Sequence, residues 1–228
     1  MNSKQVAVTN QAEEYLEAIY RLENKAGFAR TMELSRKLGV VPGSITNTVE
    51  NLERKQLVIR EPYKGVKLTP SGRKIASSIL RRHRLAERLL TDFLQIDWSE
   101  VHDPACSLEH ALTPEILKPL EKALGHPKRC PHGNPIPTDC GRIQEDETVA
   151  LTELDAQTTG NIIKITEEKP EILRELVKLK LVPGTQLKIV KNTGKAEQME
   201  IKVAEKSCTI DHDLASIIYV KKIQEGSN

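Results

Sequence analysis

The sequence has no long apolar run and little aromatic character, and its overall charge is nearly balanced. Of its 228 residues, 38% are hydrophobic and 3% are aromatic. No stretch approaches the roughly 20 apolar residues that a membrane-spanning helix needs. The N-terminus also lacks the charged-then-apolar pattern of a signal peptide. We therefore expect a soluble, cytoplasmic protein that does not associate with membranes.

The sequence is also poor in cysteine, and its four cysteines lie far apart, at Cys106, Cys130, Cys140 and Cys208. Such spacing makes a poor disulfide framework, so in a reducing cytosol we expect free thiols or metal ligands. The sequence contains no nucleophile-and-base constellation, no phosphate-binding loop and no Gly-rich nucleotide motif. These absences argue against an enzyme.

The net charge of +2 conceals an uneven distribution. Residues 1–90 contain 17 basic and 9 acidic residues, a net of +8, whereas residues 91–228 contain 17 and 23, a net of −6. A basic segment joined to an acidic remainder is expected when one domain binds a polyanion such as nucleic acid.

Proline and glycine divide the chain into two regions with different periodicity. Residues 125–146 hold four prolines and three glycines, which predicts a loop or linker. Before this segment apolar residues recur at helical spacing, and after it they alternate, as in NIIKIT, QLKIVK, MEIKVA and SIIYVKKI. We predict a mainly α protein with a small C-terminal β domain, a barrel of short strands with one helix near 170–180.

The basic region has the pattern of a winged helix-turn-helix. Helices are predicted over 13–24, 31–38 and 42–55, and the extended segments 57–60 and 66–68 form a hairpin before a long helix that begins near residue 73. In this fold the second helix of the motif enters the major groove and the wing contacts phosphates. Short polar side chains that could read base edges are Ser44, Thr46, Asn47 and Thr48. Cations placed for phosphates are Arg54, Arg60, Lys64 and Lys67.

Winged helices also serve as protein-interaction modules. The polar recognition surface and its flanking cations favour DNA over that alternative.

Residues that bind metals follow the winged helix at helical spacing. His83 and Glu87 are four residues apart, so both emerge from one face of the long helix. The next predicted helix, 98–112, carries four ligand-type residues on one stripe, namely His102, Cys106, Glu109 and His110. Imidazole, carboxylate and thiol together suit a divalent first-row transition ion better than a closed structural zinc site. Regulation by a metal is the preferred interpretation, and a metalloenzyme or metal-storage module is the less favoured one.

The winged helix and the segments RRHRLAERLLTDFL, VHDPACSLEHAL and HGNPIP together resemble the diphtheria toxin repressor and iron-dependent regulator family. The resemblance covers nearly the whole chain. It implies a homodimeric, metal-activated repressor that binds operator DNA. Its expected parts are a winged-helix DNA-binding domain (1–74), a helical metal-binding and dimerisation domain with a Pro-rich linker (75–146) and an SH3-like β-barrel domain (147–228).

The resemblance also implies two metal sites. Residues matching its primary site are Glu14, Glu17, Cys106, Glu109 and His110. Residues matching its ancillary site are His83, Glu87 and His102, completed either by Glu171 or by the loop residues Cys130 and His132. An ion joining the first helix to the dimerisation domain would link metal binding to DNA binding. The thiol favours Fe(II), the carboxylates admit Mn(II), and Zn(II), Co(II) or Ni(II) would also be tolerated.

Overall fold

The computed structural model describes residues 8–144, 147–192 and 198–223, which form two compact units. The first unit runs to Arg82 and includes Pro137–Arg142, and the second comprises His83–Ile136 and the chain from Ile143 onward. Residues 145 and 146, the end of the predicted linker, lie outside the described residues. Among the described helices, none is long and apolar enough to cross a membrane.

The first unit begins with three helices, α1 (Asn10–Ala26), α2 (Thr31–Leu38) and α3 (Pro42–Arg54). α2 ends at Gly39, whose left-handed backbone (φ 65°) turns the chain toward Pro42 at the start of α3. The helices pack through fully buried apolar side chains spaced along one face of each, namely Leu16, Ile19, Leu34, Ile45 and Leu52. This arrangement confirms the predicted helix-turn-helix.

The predicted wing is also present. β1 (Val58–Glu61) pairs antiparallel with β2 (Gly65–Leu68), and α4 (Pro70–Asp92) follows. The Thr69 hydroxyl accepts a hydrogen bond from the Gly72 backbone N–H at 3.1 Å and so caps the start of α4. Gly72 lies so close to the wing that a Cβ there would be 1.9 Å from the Leu57 carbonyl oxygen.

The second unit contains the end of α4 and two further helices, α5 (His102–Glu109) and α6 (Pro114–Ala123). α5 is shorter than the predicted helix over 98–112 because residues 98–100 form a turn. The helices share a small apolar core of Ala86, Leu90, Val101, Ala105 and Leu112.

The remainder of the second unit is a six-stranded antiparallel sheet with strand order β3-β8-β4-β5-β6-β7. Its strands are β3 (Val149–Ala150), β4 (Thr159–Ile165), β5 (Gln186–Lys191), β6 (Met199–Val203), β7 (Lys206–Ile210) and β8 (Ile218–Lys222). Two helices accompany the sheet, α7 (Pro170–Lys178) and α8 (His212–Ser216). The expected C-terminal β domain with a helix after residue 170 is thereby confirmed.

The close approach at Gly72 predicts a specific stability defect. Gly72→Ala should lower the free energy of unfolding by about 1–3 kcal/mol, because the added methyl group must displace the wing backbone. Chemical denaturation followed by circular dichroism measures this. Gly43→Ala is the matched control, since a Cβ there meets nothing within 4 Å, and it should be neutral or stabilising by up to about 1 kcal/mol. Equal stability of the two variants would contradict the proposed steric role of Gly72.

Candidate metal centre

Four segments of the second unit bring metal-binding side chains together. They are α4, α5, the loop 130–137 and the short loop between β4 and α7. Three groups of donors have all their ligand atoms within 4.8 Å of one another. We call His83, Glu87, His102 and Glu168 set A. We call Glu87, Cys130, His132 and Glu168 set B. The third group is His83, His102 and Cys106.

Set A is built around the two α4 residues whose spacing places them on one helix face. The Nε2 atom of His83 is 3.2 Å from Glu87 Oε1. The Nδ1 atom of His102 is 3.3 Å from Glu168 Oε2. On the other side of its ring, His83 Nδ1 is hydrogen-bonded to Glu109 at 2.7 Å. That contact orients the ring so that its Nε2 lone pair faces the other donors, as outer carboxylates do for metal-bound histidines.

Set B shares both carboxylates with set A and adds a thiol and a third imidazole. His132 Nδ1 lies 3.1 Å from Glu87 Oε1, while its Nε2 donates to the Trp98 carbonyl oxygen at 3.0 Å. The Trp98 indole N–H in turn donates to the Pro131 carbonyl oxygen at 2.8 Å, and its ring centre is 4.9 Å from that of His132. The sequence gave no signal for this positioning role of Trp98. Cys130 is buried.

The loop that carries Cys130 and His132 is held by backbone hydrogen bonds. Its turn closes through Gly133 N–H to Cys130 O and Cys130 N–H to Asn134 O, both 2.9 Å. The loop is joined to the sheet where Ile165 N–H donates to His132 O at 2.9 Å. Gly133 has a left-handed backbone (φ 82°), and a Cβ on it would lie 1.9 Å from the Ile163 carbonyl oxygen. The predicted linker is thus an ordered ligand-bearing loop.

The charges in the cluster compensate one another. Burial alone lowers the pKa of His132, but the Cys130 thiol and the Glu87 carboxylate raise it to about 11. Burial likewise lowers the pKa of His102, while Cys106 and Glu168 raise it to about 9. Burial and the nearby Glu168 carboxylate raise the pKa of Glu87, but the imidazoles of His83 and His132 outweigh them and leave it well below its ordinary value. A bound cation would replace protons on these imidazoles, so metal binding is coupled to proton release.

Several buried atoms of the cluster have no hydrogen bond. Ten buried side-chain nitrogen and oxygen atoms among the described residues lack a partner of acceptable geometry, and five of them face this cluster. The five are His83 Nε2, both carboxylate oxygens of Glu87, His102 Nδ1 and His132 Nδ1. Buried polar atoms are nearly always satisfied in folded proteins. Imidazole nitrogens and carboxylate oxygens converging in this way fit a divalent transition ion.

Comparisons with known proteins agree with this chemistry. Residues 7–66 match the family model for the N-terminal DNA binding domain of iron dependent repressors. Residues 69–138 match the metal binding and dimerisation domain of the same repressors, and residues 149–222 match the FeoA domain. The diphtheria toxin repressor of Corynebacterium diphtheriae is 30% identical over 226 residues, which cover 95% of this chain and 99% of that protein.

The chain belongs to the diphtheria toxin repressor family. Members of this family are metal-dependent transcriptional repressors. Solved structures support the assignment. The crystal structure of T. acidophilum IdeR has a TM-score of 0.83 at 33% identity, covering 95% of this chain and 99% of that one. A manganese-dependent transcriptional repressor in complex with manganese has a TM-score of 0.85 at 27% identity, covering 93% and 100%.

For this family member, the structure brings together most of the predicted ancillary donors. His83, Glu87 and His102 contribute to set A, and both loop residues contribute to set B. Glu171 is exposed on α7 and belongs to none of the donor groups found among the described residues. The carboxylate that joins the cluster from this part of the chain is Glu168, three residues earlier, where the loop enters α7.

The predicted primary site of this repressor stays a prediction from the sequence. Glu14 and Glu17 lie on α1 in the first unit, where Glu17 forms an ion pair with Arg21 at 2.7 Å. The other three predicted ligands belong to the second unit. Of these, Cys106 Sγ lies 3.7 Å from His102 Nε2 and 3.9 Å from His83 Nδ1, and His110 Nε2 lies 3.5 Å from Glu109.

The predicted DNA-contacting residues lie at the surface of the first unit. Ser44, Thr46 and Asn47 are exposed on α3, Thr48 is half-buried, and the Thr46 hydroxyl donates to the Pro42 carbonyl oxygen at 3.2 Å. Arg54 is exposed at the end of α3.

Three of the predicted phosphate-binding cations form surface ion pairs. Arg60 lies 2.6 Å from Glu53, and the Lys64 and Lys67 ammonium groups lie 3.2 and 3.6 Å from Glu61. Exposed pairs contribute about 0–1 kcal/mol each, so phosphates can compete for these cations.

The position of Glu168 in both sets predicts a clear difference between two neighbouring carboxylates. Glu168→Gln should weaken divalent metal binding by more than about tenfold, since even outer-shell changes cost that much. Glu171→Gln makes the same chemical change on the exposed face of α7 and should leave binding unchanged. Isothermal titration with Mn(II) under anaerobic conditions measures both. Loss of affinity in Glu171→Gln with retention in Glu168→Gln would reverse the assignment.

The contact at Gly133 predicts that the loop cannot accept a side chain. Gly133→Ala should weaken metal binding by displacing Cys130 and His132 from the cluster. Gly125→Ala is the control, because Gly125 has a similar left-handed backbone (φ 71°) but no atom within 4 Å of a Cβ. The same titration compares them, and equal affinities would show that the close approach to Ile163 does not position the ligands.

Proposed function

We propose that this protein is a homodimeric repressor that binds operator DNA when Fe(II), or a related divalent transition ion, is bound, and thereby controls metal homeostasis. The observation that carries the proposal is the buried cluster, in which five nitrogen and oxygen atoms converge without hydrogen bonds. The winged helix supplies the DNA-binding surface. In this proposal the metal regulates DNA binding and has no catalytic role.

We divide the chain for this function into three parts. They are a DNA-binding domain (1–74), a metal-binding and dimerisation domain with its Pro-rich loop (75–146) and an SH3-like domain (147–228). Matches to three successive family models, over 7–66, 69–138 and 149–222, support these limits.

DNA recognition is assigned to α3 and the wing. The exposed polar side chains near the start of α3 are short enough to approach base edges, as in other helix-turn-helix proteins. Arg54, Arg60, Lys64 and Lys67 would bind phosphates, which supply most of the salt-dependent affinity. Operator DNA lies in the cytoplasm of a cell without a nucleus, which supports a cytoplasmic location.

The choice of metal follows from the donor types. Thiols, from Cys106 and Cys130, favour Fe(II) over harder ions, whereas the carboxylates of Glu87 and Glu168 also suit Mn(II). The names of the relatives include both iron-dependent and manganese-dependent repressors. We propose Fe(II) as the activating ion, with a Mn(II)-responsive repressor of metal uptake as the alternative, and Zn(II), Co(II) or Ni(II) as tolerated substitutes.

Dimerisation is assigned to the helical part of the second unit. Three large apolar side chains are exposed there, Phe93 and Leu94 at the end of α4 and Ile116 on α6. Each has at least half of its surface accessible in the isolated chain. Association of two copies through this region would remove apolar surface from water.

The proposal predicts that DNA binding requires metal. Protein loaded anaerobically with Fe(II) or Mn(II) should bind duplexes selected from a random library, and chelator should abolish this binding. Affinity should also fall steeply with salt, because phosphate contacts release counterions. Fluorescence anisotropy with labelled duplex measures both effects. Equal affinity with chelator and with excess metal would refute metal activation and favour a structural role for the ion.

Two substitutions separate the assigned roles in the same assay. His110→Ala should abolish metal-dependent DNA binding. Asn47→Ala should leave metal affinity intact and weaken binding to the selected duplex by about 1–3 kcal/mol. The reverse pattern would show that the two roles are wrongly assigned.

A further inference from the structure

Sets A and B share two ligands, and this sharing is the feature from which a further inference follows. The sequence offers His83 with His102, or Cys130 with His132, as alternative ways to complete one site. The structure presents both pairs together, on either side of the same two carboxylates, Glu87 and Glu168.

Glu87 faces one imidazole of each set through a single oxygen. Its Oε1 atom lies 3.2 Å from His83 Nε2 and 3.1 Å from His132 Nδ1. Glu168 approaches set A in a similar manner, with Oε2 3.3 Å from His102 Nδ1 and 4.0 Å from His83 Nε2. Carboxylates in this position, between two groups of terminal ligands, are the residues that bridge paired ions in helical metal proteins.

One ion cannot satisfy the whole cluster. An ion held by set A would engage the orphaned nitrogens of His83 and His102 and one or both oxygens of Glu87. His132 Nδ1 would remain buried without a hydrogen bond. Its other nitrogen is fixed on the Trp98 carbonyl, so the ring cannot flip to satisfy Nδ1 without breaking that bond. A second ion, in set B, satisfies His132 and engages Cys130 as well.

We propose that the protein holds two divalent transition ions side by side, bridged by Glu87 and Glu168. His83 and His102 complete the coordination of one ion, and Cys130 and His132 complete that of the other. The inference deepens the proposed function and rests on it for the class of ligand, a divalent transition metal. Because two ligands are shared, loss of a bridging carboxylate removes both ions, whereas loss of one terminal pair removes one.

The test counts ions and detects their coupling in the full-length protein loaded with Mn(II). Elemental analysis after desalting should show one ion fewer per protomer for Cys130→Ser/His132→Ala, and one fewer for His83→Ala/His102→Ala. Glu87→Gln should lose two, and Glu168→Gln repeats this test if Glu87→Gln does not fold. The matched control is Cys208→Ser/His212→Ala, which changes a cysteine and a histidine outside every donor group and should lose none.

Electron paramagnetic resonance gives an independent readout. Bridged Mn(II) ions are spin-coupled, so the wild type should show a coupled signal that disappears in both terminal-pair variants and persists in the control. Equal ion counts in the wild type and the Cys130/His132 variant, or an uncoupled wild-type signal, would overturn the proposal and leave the two sets as alternative positions of one ion.

These outcomes are distinct from those that test the proposed function. Metal-dependent DNA binding with an uncoupled ion would retain the function and reject the pair. A coupled pair with metal-independent DNA binding would do the opposite.

Discussion

The second unit is organised around one fully buried carboxylate, that of Glu87. A buried charge is costly unless it is paired, and removal of its partners leaves a penalty of several kcal/mol. Here the compensation comes from imidazoles on three different segments, His83 on α4, His102 on α5 and His132 on the loop 130–137. The same requirement explains why this loop is ordered despite its proline and glycine content. Its hydrogen bonds serve to place one imidazole against one carboxylate.

Regular spacing made part of this arrangement readable from the sequence. His83 and Glu87, and likewise His102 and Cys106, are four residues apart on helices, so their common faces followed from helix geometry. The winged helix was equally accessible, because Gly39, Pro42 and the alternating wing segments mark its boundaries. Three of the four predicted strands overlap the observed ones to within two residues at each end, and QLKIVK coincides with β5.

Other features depend on loop conformation or on distant partners, and these could not be predicted. Glu168 is a ligand because the turn after β4 points it inward, whereas Glu171, one helical turn later, is exposed. Trp98 acquires its role from a backbone contact with a residue 34 positions away. α6 contains Pro119 in its interior, which weakens any helix signal, and the polar strand β7 has little alternation of apolar residues.

The contact between Trp98 and His132 has one more consequence. Trp98 is the chain's single tryptophan, and its indole ring lies against the imidazole of set B. Intrinsic tryptophan emission from this protein therefore originates at the edge of the metal centre. The protein carries its own optical reporter of the state of His132, with no label and no background from other indoles.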